Sequence, residues 1–254
     1  PSIAFAATTS NGSEATTAVN IPVSISMTAT ASVNYAVTGG TATGADYTLA
    51  SGTLNFTNGG ATTQNISLTV NNDALNEADE TIIITLSSPS SGINLGVNTT
   101  HTYTITNDDA APTIAFAAAT SGSTDETAAN RTIAVNLSAA SSKAISVVVT
   151  DAGGTATSGA DYTAIGSPLT VNFAANETTK NVTIPVLSDT LDEENETVIL
   201  TLSSPNNATL GAITTHTFSI IDDDNPPTVA FGAATSDSTN ETATSRTIAI
   251  NLST

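Results

Sequence analysis

The sequence predicts an all-β chain of tandem antiparallel β-sandwiches. Two observations predict it. Blocks of residues recur along the chain in one order and one register, and the segments between turn signals alternate apolar and polar residues with a period of two. No stretch of useful length carries helical periodicity.

The repeat is read from several blocks at once. Pro1-Ser2-Ile3-Ala4-Phe5 returns as Pro112-Thr113-Ile114-Ala115-Phe116 and again as Pro227-Thr228-Val229-Ala230-Phe231. Gly40-Thr41-Ala42-Thr43 matches Gly154-Thr155-Ala156-Thr157, and Gly44-Ala45-Asp46-Tyr47-Thr48 matches Gly159-Ala160-Asp161-Tyr162-Thr163. Leu86-Ser87-Ser88-Pro89 matches Leu202-Ser203-Ser204-Pro205, and His101-Thr102 matches His216-Thr217. The register divides the chain into a first repeat over 1–109, a second over 110–224 and the opening of a third over 225–254. A repeat of this length is a domain rather than a solenoid unit.

Each repeat reads as about seven short strands. In the second, Ile133, Val135 and Leu137 share one face of a run from Arg131 to Ser138. Ile145, Val147 and Val149 follow, then Leu169, Val171 and Phe173, then Val182, Ile184 and Val186. Val198, Leu200 and Leu202 come next, and Phe218 with Ile220 closes the series. Such patterning belongs to half-buried antiparallel strands, and two sheets that cover each other's apolar faces make an Ig-like sandwich. In the third repeat, Thr228–Phe231 and Arg246–Leu252 are expected to be its first two strands. Two strands cannot bury Val229, Phe231, Ile248, Ile250 and Leu252 alone, so continuing chain or a neighbouring chain is expected to cover them.

Composition narrows the function classes. The chain has 254 residues, 4 Lys+Arg against 23 Asp+Glu and a formal net charge of −19. Such a surface repels phosphate backbones and anionic lipid heads and attracts divalent cations. Cys is absent, which excludes disulfides and thiolate metal sites. No apolar run is long enough to span a bilayer, and no basic-then-apolar leader opens the chain. Pro1 sits in phase with a repeat boundary, so the chain is expected to be cut from a longer protein. Aromatics at 4% suit thin sandwiches with modest cores. Asn-x-Ser/Thr sequons occur at Asn11, Asn65, Asn98, Asn136, Asn195 and Asn207, as expected by chance in so Asn-, Ser- and Thr-rich a chain.

Within a repeat the acids gather in four places. Glu14, Glu126 and Glu241 follow the first strand; Asp46 and Asp161 precede a Tyr. A loop spaced Asp-x-x-x-Glu-x-x-Glu carries Asp73, Glu77 and Glu80 in one repeat and Asp189, Glu193 and Glu196 in the next. The repeat ends on Asn107-Asp108-Asp109 or Asp222-Asp223-Asp224. Loops of a sandwich cluster at two poles, and carboxylates packed at one pole repel without a counterion. Ca²⁺ takes six to eight oxygen ligands at flexible geometry, which loop carboxylates supply; Mg²⁺ keeps more waters, and zinc and copper call for His or Cys. His101 and His216, at the start of the last strand, are expected to be structural or solvent-facing.

The ordered set Gly-Thr-Ala-x-x-Gly-x-Asp-Tyr (complete at Gly154–Tyr162 and one residue shorter at Gly40–Tyr47), a strand such as Gly52-Thr53-Leu54-Asn55-Phe56, the Asp73-to-Glu80 loop, Leu95-Gly96 and Asn107-Asp108-Asp109 resembles the Calx-β domain family. The second repeat shows the same order, closing on Leu210-Gly211 and Asp222-Asp223-Asp224. The resemblance implies an Ig-like sandwich with Ca²⁺ at one pole, near the junction with the next domain. It implies ligands from Glu14, Asp46, Asp73, Glu77, Asp108 and Asp109 in the first repeat. In the second it implies Glu126, Asp161, Asp189, Glu193, Asp222, Asp223 and Asp224. For Glu80 and Glu196 two places stay open, a further ligand or the start of the following strand. Asn107 replaces the Asp found at 222, so the first site is expected to bind more weakly or to hold fewer ions.

The function expected from this pattern is a calcium-stiffened rod or fibre of stacked domains in an extracellular or cell-surface protein. Its partners are neighbouring repeats or further copies. The linkers are short and proline-bearing, Ala110-Ala111-Pro112 and Asn225-Pro226-Pro227, which limits wobble. An adhesin stalk or a module recognising a cell surface or glycan is the alternative. Trp is absent and no ligand pocket is marked. No Ser-His-Asp constellation, phosphate loop or paired acid/base site is found, and no enzyme is expected.

Overall fold

The computed structural model describes residues 1–166, 168–235 and 238–253, which form two compact units, one built on the first repeat and one on the second. In the first, the strands are β1 Ser2–Phe5, β2 Thr9–Ser13, β3 Ala18–Ile25, β4 Ala31–Gly40, β5 Tyr47–Thr48, β6 Gly52–Phe56, β7 Thr63–Val70, β8 Glu80–Ser87, β9 Asn94–Leu95 and β10 Thr100–Thr106. They form two sheets, ordered β5-β7-β3-β1-β9 and β2-β10-β8-β4-β6. Ile3, Phe5, Ile21, Val23, Val33, Phe56, Ile66, Leu68, Ile82 and Ile84 are buried in the core between the sheets. Period-two alternation therefore becomes one covered face per strand, the arrangement that buries most apolar surface in a two-layer fold.

The second unit repeats the plan. Its strands are β11 Thr113–Phe116, β12 Thr124–Asp125, β13 Arg131–Leu137, β14 Ile145–Gly154, β15 Leu169–Phe173, β16 Thr179–Ile184, β17 Glu196–Asn206, β18 Thr209–Leu210 and β19 Thr215–Ile221. Their sheets run β16-β13-β11-β18 and β12-β19-β17-β14-β15. The described residues contain no helix, and none therefore that could cross a membrane.

Each repeat holds more strands than the expected seven, because its first strand is split and two-residue strands, β5 and β9 in the first repeat and β18 in the second, join the sheet edges. β1 pairs antiparallel with β3 in one sheet; the chain then crosses at Ala6–Thr8, and β2 pairs parallel with β10 in the other. A histidine fixes the crossing. His101 is buried; its Nδ1 lies 2.7 Å from the Ala7 carbonyl, its Nε2 2.7 Å from Ser10 Oγ, and its ring 5.4 Å from Phe5. His216 repeats the clamp on Ala118, Ser121 and Phe116 at 2.7, 2.9 and 5.5 Å. Both histidines are structural, and neither faces solvent.

The third stretch corrects a second expectation. β20 Val229–Phe231 and β21 Ile250–Leu252 pair in the register of β1 with β3, Val229 facing Leu252 and Phe231 facing Ile250. Arg246–Ala249, however, are not strand. The matching part of β3 is held by β7 on its far edge, and among the described residues no such neighbour stands beside β21. Val229, Phe231, Ile248, Ile250 and Leu252 are all exposed.

Candidate metal centres

Three chain reversals bring the acids of one repeat together. The parallel pairing of β2 with β10 sets Ser13 opposite Thr106 and ends with Glu14 N–H donating to the Thr106 carbonyl at 3.1 Å. Glu14 thereby meets the chain leaving β10, and its Oε1 accepts from Asp108 N–H at 3.3 Å. At the end of β4, Gly40 adopts a φ of 119°, and a Cβ there would run into the Thr81 carbonyl. That carbonyl instead accepts from Thr41 and Ala42 N–H at 2.9 and 3.0 Å. Only glycine permits so close an approach at this φ, and it turns the Thr43–Asp46 loop toward Glu80. Gly154, with a φ of 127°, does the same against Thr197. Last, the loop before β8 is tied by its own first acid, Asp73 Oδ1 accepting from Leu75 N–H at 2.7 Å. Asp189 and Leu191 repeat the bond at 2.7 Å.

The result is two groups of carboxylates per repeat. Glu14, Asp73 and Asp109 form one, and Asp46, Glu77 and Glu80 the other; Glu126, Asp189 and Asp224, and Asp161, Glu193 and Glu196, match them. Within each group the ligand oxygens lie within 4.8 Å of one another. Two oxygens on one Ca²⁺, each at about 2.4 Å, can be at most about 4.8 Å apart, so each group is compact enough to share an ion.

Burial makes these groups costly when bare. Glu14, Glu126 and Asp161 are buried carboxylates, and the residues lining the clefts at the two poles include no basic side chain. An unpaired buried charge is destabilising unless the group takes up a proton or meets a cation. Several carboxyls do hold their protons above the ordinary range. Burial raises Glu14, and Asp109, Asp108 and Asp73 add repulsion. Burial also raises Glu77, helped by the charges of Asp46 and Asp73. Glu80 is pushed up to about 7 by burial and by the hydrogen bond it shares with Asp46. Glu196 reaches about 7 by burial and its bond to Asp161. Asp46 goes the other way: burial opposes its charge, but Thr43 N–H and Oγ1, at 2.6 and 2.8 Å, hold its carboxyl low.

Whether a cation fits is tested by the oxygens left over. Glu80 Oε2, Asp109 Oδ2, Asp222 Oδ1 and Asp224 Oδ2 are shut off from solvent without a hydrogen-bond partner. All four belong to the poles. A hard, oxygen-seeking divalent cation is the partner that satisfies several such oxygens together.

The structure distributes the sequence-derived residues unevenly. Glu14, Asp46, Asp73, Glu77, Asp109, Glu126, Asp161, Asp189, Glu193 and Asp224 lie in the four groups. Asp108, Asp222 and Asp223 lie outside them. Asp108 Oδ2 accepts from Ser13 Oγ at 2.7 Å. Asp222 lies against Glu126 and, after burial, helps raise it. Loss of hydration and the charge of Asp125 raise Asp223. Glu80 and Glu196 open β8 and β17, and they also complete the second group of each repeat. The signal was their place in the Asp-x-x-x-Glu-x-x-Glu spacing. A strand's first side chain can still point into the loop cluster. Asp125, next to Glu126, was not singled out from the sequence.

Among curated proteins no sequence matches this chain. Among solved structures, similar chains include CBD12 from CALX1.2, 22% identical over 87% of this chain and 99% of that one, with a TM-score of 0.42. The calcium binding domain CBD12 of CALX1.1 is 21% identical over 86% and 99%, with a TM-score of 0.42. The apo-form Calx CBD1 domain is 23% identical over 45% and 100%, with a TM-score of 0.41. The Calx-beta domain model matches residues 1–110 and 107–225. The chain therefore belongs to the Calx-beta family and carries two of its domains in tandem.

Proposed function

We propose that the chain is a calcium-binding structural tandem from an extracellular or cell-surface protein, in which Ca²⁺ at the acidic poles stabilises and stiffens a rod of successive domains. The observation that carries this reading is the set of buried carboxylate oxygens without partners at poles that contain two compact carboxylate groups each. Glu14, Asp73 and Asp109, with Asp46, Glu77 and Glu80 beside them, would hold ions in the first repeat. Glu126, Asp189 and Asp224, with Asp161, Glu193 and Glu196, would do so in the second. The ion supplies positive charge and open coordination positions. The chain supplies oriented oxygens on a rigid two-sheet base. Asp109 and Asp224 stand a few residues before Pro112 and Pro226, so an ion that fixes them also shortens the free part of the linker. Partners on this reading are the neighbouring domains of the array, and the role is structural rather than catalytic.

Thermal melts in chelator, in Ca²⁺ and in Mg²⁺ test the reading. Ca²⁺ is expected to raise the melting temperature by the linkage of binding to folding, about 2.7 kcal/mol per site at a hundredfold excess over Kd, and Mg²⁺ far less. Superimposable curves in all three would refute it. Small-angle scattering of the two-domain chain checks the rod. A maximum dimension that lengthens and sharpens with Ca²⁺ is expected, and an unchanged profile removes the stiffening role.

A further inference from the structure

The two poles share one plan but are closed by different chemistry. In the first repeat the Asp109 carbonyl accepts from two side-chain amides, Asn76 Nδ2 at 2.9 Å and Asn107 Nδ2 at 2.9 Å. The Asn107 Oδ1 is also used, accepting from Glu77 N–H at 2.8 Å. Asn107 therefore joins the chain leaving β10 to the loop that carries Asp73 and Glu77, and its amide oxygen is spent on that joint. Ser13 adds a third neutral donor, its hydroxyl bonding Asp108 at 2.7 Å.

In the second repeat all three positions are acids. Asp192 stands for Asn76, Asp222 for Asn107 and Asp125 for Ser13. A carboxylate has no N–H to give a carbonyl, so the clamp on the backbone of residue 224 cannot form. Asp222 Oδ1 and Asp224 Oδ2 are buried without partners. Asp222, Asp189 and Asp192 all repel the Asp224 carboxylate. One exchange runs in reverse: Asp79 accepts from Asn107 N–H at 3.2 Å, and Asn195 accepts from Asp222 N–H at 3.2 Å. That bond needs only an acceptor, which both side chains provide.

We propose that the first pole is pre-organised by the amide struts Asn76 and Asn107, whereas the second, with Asp192 and Asp222 in their places, is ordered by the cation it binds. This rests on the calcium reading given above and adds a division of labour: a standing site in the first repeat and a calcium-responsive one in the second. Struts that are present without the ion lower the ordering cost of binding, so the first pole changes little when it fills. The second gains ligand charge and forfeits its backbone ties, so its loop is released when calcium is withdrawn.

Backbone amide exchange on the full chain, followed by NMR in chelator and in Ca²⁺, tests this. In chelator the amides of residues 189–196 are expected to exchange about tenfold faster than those of 73–80, the equivalent of one or two net hydrogen bonds. Ca²⁺ is expected to close the gap. The variant Asp222→Asn should slow exchange of 189–196 in chelator while weakening calcium binding by the second repeat. Asn107→Asp should speed exchange of 73–80. Equal exchange of the two loops in chelator, or no response to either variant, overturns the proposal. Calorimetric titration of the same samples separates it from the underlying reading. A wild-type chain that binds no Ca²⁺ overturns the calcium reading and the ion's role at the second pole, while exchange in chelator still judges the struts without any ion.

Discussion

At the first pole the Ser13 hydroxyl donates to Asp108 across 2.7 Å; at the matching place in the second repeat Asp125 stands beside Asp223 and helps to push its carboxyl up. Several local hydrogen bonds agree between the repeats to within a few tenths of an ångström. The histidine clamp, the glycine approach to the carbonyl just after the Glu loop, and the Asp–Leu turn at 73 and 189 recur with matching partners. The sandwich is thus held constant while the ends diverge. Core positions are fixed by packing at near-crystalline density, and loop ends tolerate exchange of a donor for an acceptor when an ion or a proton can take up the difference.

The clamp offers the largest test of what is shared. His101→Ala and His216→Ala each remove a buried ring with two hydrogen bonds and should cost about 2–4 kcal/mol, equally in chelator and in Ca²⁺. Differential scanning calorimetry reads both. A loss confined to one repeat would break the equivalence of the two scaffolds.

An intermediate effect is expected from pH. Glu80 and Glu196 titrate near 7 in the folded chain against an ordinary value of 4.5, because burial and a shared hydrogen bond with Asp46 or Asp161 favour the protonated form. A raised carboxyl pKa means the native state binds the proton more tightly than the unfolded chain. The stabilisation is complete below about pH 4.5 and is lost as the pH rises through about 7. In chelator the melting temperature should therefore fall by roughly 5–10 °C between pH 5.5 and pH 8. Saturating Ca²⁺ should flatten the profile, since the ion replaces the proton as counter-charge. A flat profile in chelator would show that these carboxyls are not the source of the strain. Glu80→Gln compared with Glu196→Gln then apportions the slope between the repeats.

The smallest change sharpens the comparison most directly. Asp125→Ser gives the second pole the hydroxyl of the first. It should raise the melting temperature of the calcium-free second repeat slightly, through the lost repulsion with Asp223 and a hydroxyl donor in its place, offset in part by the bonds Asp125 accepts from Thr127. It should also weaken calcium binding there several-fold. A stability gain without loss of affinity would place Asp125 outside the ligand sphere.

Much of this was legible in the residues. Alternation at Ile133, Val135 and Leu137 or at Val198, Leu200 and Leu202 named the covered faces, because side chains on a strand alternate whatever the strand pairs with. The recurrence of Asp46-Tyr47 and Asp161-Tyr162, and of the Asp73 and Asp189 loops, named the acid-bearing ends. Other features were not legible. Alternation over Arg246–Leu252 suggested a long strand, yet only Ile250–Leu252 pairs, since a strand needs a neighbour as well as a pattern. Glu80 and Glu196 could be read either as ligands or as strand starts, and the structure gives them both places. The histidines gave no sign of burial, because their partners, Ala7 with Ser10 and Ala118 with Ser121, lie more than ninety residues earlier.

The sequence by itself determined the strand faces, the recurrence of two repeats and the acidic character of the loops, all of which follow from periodicity and from residue types within reach of one another along the chain. The tertiary structure decided which acids meet. Glu14 reaches Asp108 only because the first strand splits, crosses between sheets and runs parallel to β10. Whether Asn107 acts as a ligand or a strut depends on where Glu77 N–H and the Asp109 carbonyl fall around it. Such contacts close loops of tens of residues, and their geometry is set by how two whole sheets pack, so no local pattern encodes them.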